Sequence, residues 1–182
     1  MYFSSFPKIA YDSAGQGRPK VVTNILRRVA VRAKVKNSAM LYDTYDIRNG
    51  DTPESLADRL YNNSQLHWVI LLTNDITDRY HQWPMYERQF NTYLNEKYDN
   101  PDGIHHYEIS QSSGDANTKI EVYANEALYT GDTDFYSNAT IVTNREYEES
   151  EQDKKRKIKL LDPSFIDQFV EEFELLMSES PL

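Results

Sequence analysis

Apolar and polar positions alternate with a period of two in two stretches of the N-terminal half. From Val29 to Lys36, Val29, Val31, Ala33 and Val35 alternate with Ala30, Arg32, Lys34 and Lys36, which predicts a strand with one apolar and one basic face. Thr44-Tyr45-Asp46-Ile47-Arg48 also alternates, and Asn49-Gly50-Asp51 supplies a turn because glycine accepts positive φ without steric cost. The period then becomes helical. Thr52 suits an N-cap, Pro53 takes the first helical position, where its missing N–H costs nothing, and Glu54 complements the helix dipole. Leu56, Ala57, Leu60 and Tyr61 form one buried stripe, which Asn62-Asn63 breaks. Ser64 is placed to cap a second helix whose Leu66, Trp68, Val69, Ile70, Leu71 and Leu72 leave almost no polar face, the mark of a buried helix, ending near Thr73-Asn74-Asp75.

Pro84 opens a third helix with Tyr86, Phe90, Tyr93, Leu94 and Tyr98 on one side, and Asn100-Pro101-Asp102-Gly103 stops it. Ile104 to Ser110, Lys119 to Tyr123 and Ala139 to Thr143 read as short strands of a small antiparallel region. The acidic run Glu146 to Asp153 abuts the basic run Lys154 to Lys157, a pattern that reads as solvated linker or helix surface. Lys157 to Leu161 predicts a strand, Asp162 a cap and Pro163 the start of a final helix. In that helix Phe165, Ile166, Phe169, Val170, Phe173, Leu176 and Met177 return to one face, with Asp167, Glu171, Glu172 and Glu174 opposite. Burying such a stripe contributes on the order of 10–20 kcal/mol, so it must be covered, either by its own chain or by a neighbour's groove. These elements predict an α+β fold in four parts: an extended basic arm over 1–43, a core with its following helix over 44–100, a small antiparallel β region over 101–146, and a charged linker, strand and amphipathic helix over 147–182.

Composition narrows the partner classes. The chain has 182 residues and a net charge of −9, yet between Asp12 and Asp43 there are seven basic residues and no acidic one. The arm lacks the interleaved aromatics of a nucleic-acid stacking platform, which leaves a charge-protected edge strand or a contact with an acidic protein surface. The 14 tyrosines suit wet, partly buried contacts. Arg28, Arg32, Lys34, Lys36, Trp83, Phe165, Phe169, Phe173 and Leu176 are therefore the candidate protein-interface residues. Trp83, beside Tyr80 and His81, is expected to be partly exposed, either as a contact anchor or as a staple for the next helix. No apolar run approaches the ~20 residues that cross a bilayer, and the N-terminus has no secretion-signal pattern, so a soluble, intracellularly made protein is expected.

Catalytic signatures are missing from the sequence. It has no cysteine, and it carries no Gly-x-Ser-x-Gly elbow, His-Glu-x-x-His pair, Walker loop or calcium loop. Ser13 to Lys20 is a Gly- and Pro-containing loop without a complete nucleotide pattern. His105 and His106 are consecutive in a predicted strand, so their rings should face opposite sides and cannot share an ion without a bulge. Glu54 and Asp58, four apart on a helix, read as solvent-facing rather than as an acid/base pair. No enzyme activity and no cofactor are expected.

Tyr45-x-Ile47-x-x-Gly50-Asp51-Thr52-x-x-x-Leu56-Ala57, followed by the Trp68 to Leu72 helix and Asn74, resembles a LysM module. Such modules have a βααβ fold. With Phe6-Pro7, Tyr42-Asp43, Pro53-Glu54, Leu66-His67, Trp83-Pro84 and Glu96-Lys97-Tyr98, the wider pattern resembles the gene product 53 family of baseplate wedge subunits of T-even-like contractile-tailed bacteriophages. That resemblance implies a structural protein of the virion's tail baseplate, made in the host cytoplasm. Its partners would be other wedge proteins and the neighbouring wedges that it joins, with no nucleic acid or membrane involved. Ile76 to Pro84 lacks the Leu-x-x-Gly-Gln-x-Leu closing strand of ordinary LysM modules, and Trp68 among Val69, Ile70 and Leu72 reads as core, so both points argue against carbohydrate. A LysM-type peptidoglycan or chitin binder is the competing expectation.

Overall fold

In the computed structural model, residues 2–27, 29–30, 40–113, 116–123 and 138–179 are described. In chain order they form β1 (Lys8–Tyr11), β2 (Lys20–Thr23), β3 (Tyr42–Asp46), α1 (Pro53–Tyr61), α2 (His67–Thr73), α3 (Arg79–Gln82), α4 (Glu87–Lys97), β4 (Ile104–Ser113), β5 (Ala116–Tyr123), β6 (Thr140–Thr143), α5 (Asn144–Arg156), β7 (Lys157–Leu161) and α6 (Ile166–Glu179). Single 3-10 turns cover Tyr2–Ser5, Ser64–Leu66 and Pro163–Phe165. The fold is α+β with antiparallel sheets. It divides into two units, one of the chain through Trp83 plus everything from Arg156, the other Pro84–Lys155.

The first unit is built on β3 and β7, which pair antiparallel with Tyr42 opposite Leu161 and Asp46 opposite Lys157. The helices between them start where local chemistry dictates. Thr52 Oγ1 accepts from Ser55 N–H at 3.2 Å and Ser55 Oγ accepts from Thr52 N–H at 2.9 Å, a reciprocal capping box. Asn62 closes α1 in the left-handed region at φ 51°. The expected cap Ser64 proves to be inside a 3-10 turn capped by Asn63, and α2 begins at His67. Asn63 wins because its carboxamide reaches the Gln65 N–H at 3.0 Å.

The apolar surround of α2 is explained by its position between two clusters. Trp68 and Val69 pack with Phe6, Tyr42, Leu161, Ile166, Phe173 and Met177. Ile70 packs with Ile47, Leu56, Ala57, Trp83, Ile158 and Leu160. Apart from these, β1 and β2 form a two-stranded antiparallel hairpin that the sequence pattern did not announce. Of the strand expected over 29–36, Val29 and Ala30 are described and lie outside any strand; 31–36 lie outside the described residues.

The second unit carries α4, α5 and a sheet in the order β5-β4-β6. Asn144 N–H donates to Gly103 O at 2.9 Å and Arg145 N–H to Pro101 O at 2.9 Å, which joins the start of α5 to the turn after α4. The charged run is not solvated throughout. It forms α5, and Glu148 and Gln152 face inward. Gln152 Oε1 accepts from Met85 N–H at 2.9 Å, and the Glu148 carboxylate takes the Lys97 ammonium at 2.6 Å and the Tyr98 hydroxyl at 2.8 Å. A buried carboxylate is tolerable when it is paired and hydrogen-bonded in this way.

Candidate interaction surfaces

The residues that carry the resemblance to a LysM module in the sequence serve the architecture of the first unit. Gly50 sits at φ +87°, where a side chain would be strained. Ile47, Leu56 and Ala57 are buried. Asp51 is a node: its Oδ2 accepts from Tyr45 OH at 2.7 Å and from Arg48 N–H at 3.1 Å, while Arg59 donates to Tyr45 OH at 2.7 Å. Burial alone would raise the Asp51 carboxyl, but these hydrogen bonds and the Arg59 charge hold it below the ordinary carboxylate range. Trp83, expected to be partly exposed, is buried at 7% exposure, because its Nε1 donates to Asp51 O at 2.9 Å and its ring joins the second cluster. It is an internal staple in this structure.

The C-terminal helix is sheltered largely by its own chain. Phe173 is buried, with its ring 4.4 Å from Trp68 and 5.6 Å from Tyr2. Phe165 and Phe169 are partly buried against the same cluster. Ser5 Oγ donates to Glu174 Oε1 at 3.0 Å and Arg27 donates to Leu176 O at 2.8 Å, so the N-terminal segment and α6 hold one another. Of the apolar candidates on this helix, Leu176 is the one left open, at 44% exposure. Arg28, Arg32, Lys34 and Lys36 lie outside the described residues.

The structure adds a surface that sequence patterning missed. On and after the hairpin, Tyr11, Val21, Val22, Ile25 and Leu26 are exposed, Val21 at 73% and Leu26 at 87%. Among the described residues no further strand pairs with β1 or β2, so backbone donors and acceptors line both edges. Arg18, Lys20 and Arg27 lie on the same arm. The only signal was the doublets Val21-Val22 and Ile25-Leu26, too short for a period. Apolar side chains, open strand edges and positive charge together suit a protein partner with apolar and acidic features.

In the second unit, His105 and His106 do not take opposite faces as expected. A register shift between Ile104 and His106 turns the rings together, with Nδ1 to Nδ1 at 2.8 Å and His105 stacked on Tyr147 at 3.9 Å.

A family described as "Base plate wedge protein 53" matches residues 1–176. Baseplate wedge protein gp53 of Enterobacteria phage T4 is similar, 34% identical over 86 residues, which are 46% of this chain and 44% of the phage T4 protein. The matched stretch thus spans less than half the length of that relative.

Proposed function

The chain belongs to the base plate wedge protein 53 family, and from that membership we propose that it is a structural subunit of a contractile phage tail baseplate, where it joins neighbouring wedges through protein–protein contacts. Its place is the virion and its partners are other wedge proteins, with no part for nucleic acid or membrane. No described helix is long and apolar enough to cross a membrane. It works by adhesion and not by turnover. The observation that carries this reading is the apolar hairpin arm, Val21 through Leu26, left in water on a first unit whose core is closed by its own C-terminal helix. Of residues 1–43, the hairpin and the segment after it act as the attachment arm, continued by Arg28, Arg32, Lys34 and Lys36, while Tyr2, Phe6 and Tyr42 belong to the core of the first unit, and Leu176 adds a second contact.

The order β3-α1-α2-β7 supports a LysM-like first unit, in which β7 supplies the closing strand that Ile76 to Pro84 does not. The burial of Trp68, the aromatic best suited to stack on a sugar, speaks for protein rather than glycan as the partner.

The test is co-expression of the phage's wedge proteins with wild type or with the Val21→Asp, Leu26→Asp double variant. The variant should keep the wild-type circular dichroism and melting temperature and fail to enter wedge assemblies on size exclusion. Full incorporation would remove the arm from the mechanism. Saturable binding of chitin oligomers by the monomer would replace the proposal with a carbohydrate module.

A further inference from the structure

The bulge in β4 gathers a second constellation. The ligand atoms of His106, Glu108 and Glu121 all lie within 4.8 Å of one another. Glu108 and Glu121 are directly opposite on paired strands, so like charges face each other on one side of the sheet, an arrangement that is destabilising unless a cation is shared. His106 stands two residues before Glu108 on that face. It is 3% exposed, and its Nε2 is buried without a hydrogen-bond partner, 3.6 Å from Glu108 Oε1. That separation is too long for a hydrogen bond. It is close to the roughly 3.3 Å expected between nitrogen and oxygen ligands of one tetrahedral zinc ion, whose bonds are about 2.0–2.2 Å.

The surroundings suit ligation. When His106 Nδ1–H donates to His105 Nδ1, across 2.8 Å, the Nε2 lone pair is left bare and pointed at the carboxylate. His105 is itself held by its stack on Tyr147, so the tautomer and orientation of the inner ring are set from outside, as a metal-binding histidine requires. Lys119 pairs with Glu108 Oε2 at 2.5 Å, which leaves Oε1 turned to the histidine. We propose that His106 Nε2, Glu108 and Glu121 form a binding site for one divalent transition-metal ion of the zinc class, bridging β4 to β5 with a coordination position left for water. The imidazole selects zinc over magnesium or calcium, which take all-oxygen shells. The ion would act as a clamp on the sheet, because a ligand that binds only the folded state raises its stability.

The test uses the full-length protein without a histidine tag, stripped with a chelator and titrated with zinc chloride by calorimetry. One ion should bind per chain, magnesium should not compete, and cobalt(II) should give the visible absorption of a low-coordinate site. Zinc should raise the melting temperature. Glu121→Gln, on an exposed side chain, should melt no lower than wild type without metal, because a like-charge pair is removed, and should bind zinc at least about tenfold more weakly. His106→Gln should abolish the cobalt spectrum. Absence of one-to-one zinc binding, or binding that Glu121→Gln leaves unchanged, would overturn the proposal.

Discussion

The carboxamide of Asn74 holds the backbone of Lys159 by both of its polar groups: Nδ2 donates to the Lys159 carbonyl at 2.7 Å and Oδ1 accepts from the Lys159 N–H at 2.8 Å. One side chain thereby does what another strand would do for the outer edge of β7. The Tyr61 hydroxyl continues along β7 by donating to Leu161 O at 3.0 Å, and burial pushes that hydroxyl's pKa up to about 12. The same Asn74 nitrogen also donates to Ile70 O at 2.8 Å, so the end of α2 and a strand 85 residues later share one clasp. The central two-stranded sheet is completed by side chains from its own helices.

Replacing Asn74 with Leu keeps its approximate volume and strands the Lys159 N–H and carbonyl. An unpaired buried backbone group costs about 1–3 kcal/mol, so the opening free energy at the Lys159 amide should fall by that amount. Native-state hydrogen exchange measures it residue by residue. Unchanged protection at Lys159 would show that water or another group closes the edge equally well.

Phe173→Asp and Leu176→Asp should part company. Phe173 is 3% exposed and packed on Trp68, so a carboxylate there costs on the order of 4 kcal/mol or more and should abolish the cooperative melt. Leu176 is 44% exposed, and its substitution should stay within about 0.5 kcal/mol of wild type. Thermal denaturation followed by circular dichroism distinguishes them. If Leu176→Asp unfolded the protein and Phe173→Asp did not, the helix would be docked by the opposite face.

What was legible in the sequence was short-range. Thr52 and Pro53 set the start of α1, and Asp162 caps at the expected place, although it opens the 3-10 turn Pro163–Phe165 and the helix expected from Pro163 begins at Ile166; caps act through neighbouring backbone groups. Lys157 to Leu161 read correctly as a strand, but its pairing with Tyr42–Asp46 lies across an entire inserted unit that no local pattern encodes. Distance also hid Trp83, whose partner Asp51 is 32 residues earlier, and Glu148, whose charge is answered by Lys97 51 residues away. Charge patterning alone made Glu148 look solvated. Of the candidate interface, Phe173 and Trp83 were legible as important apolar residues, with an internal partner and a neighbouring chain standing as alternatives that no local pattern decides. The hairpin surface was not legible, since strands of four residues show too little alternation.

Acid should loosen the second unit through Glu148. Burial would raise its carboxyl, but Lys97, Tyr98 and Tyr93 hold it below its ordinary value of 4.5. A group depressed in the folded state contributes stability that is fully present above the unfolded value and is lost as pH falls through the folded one. Lys97, raised chiefly by its hydrogen bond to Glu148, keeps its contribution below its ordinary 10.5 and loses it at higher pH. Glu148→Gln should therefore cost about 1–3 kcal/mol at neutral pH and flatten the loss of stability below about pH 4.5. Urea unfolding across a pH series checks both effects. An acid limb of wild-type steepness in the variant would assign it to other carboxylates.

The Asp51 node makes a sharper test, because its donors are separable. Tyr45→Phe removes one hydroxyl that both donates to Asp51 and accepts from Arg59, leaving the Arg48 N–H and the guanidinium in place. Losing the tyrosine donor should move the Asp51 carboxyl up toward its ordinary 3.8 without reaching it, since those other contacts persist. Stability at neutral pH should drop by about 1 kcal/mol, the net worth of such a bond, with the loss shrinking as Asp51 is protonated in acid. Carboxyl NMR titration reads the first effect and chemical unfolding the second. Because Trp83 reaches the same residue through its main-chain oxygen, indole exchange protection should survive Tyr45→Phe. If that protection disappeared, the turn geometry rather than the carboxylate's charge would depend on the tyrosine.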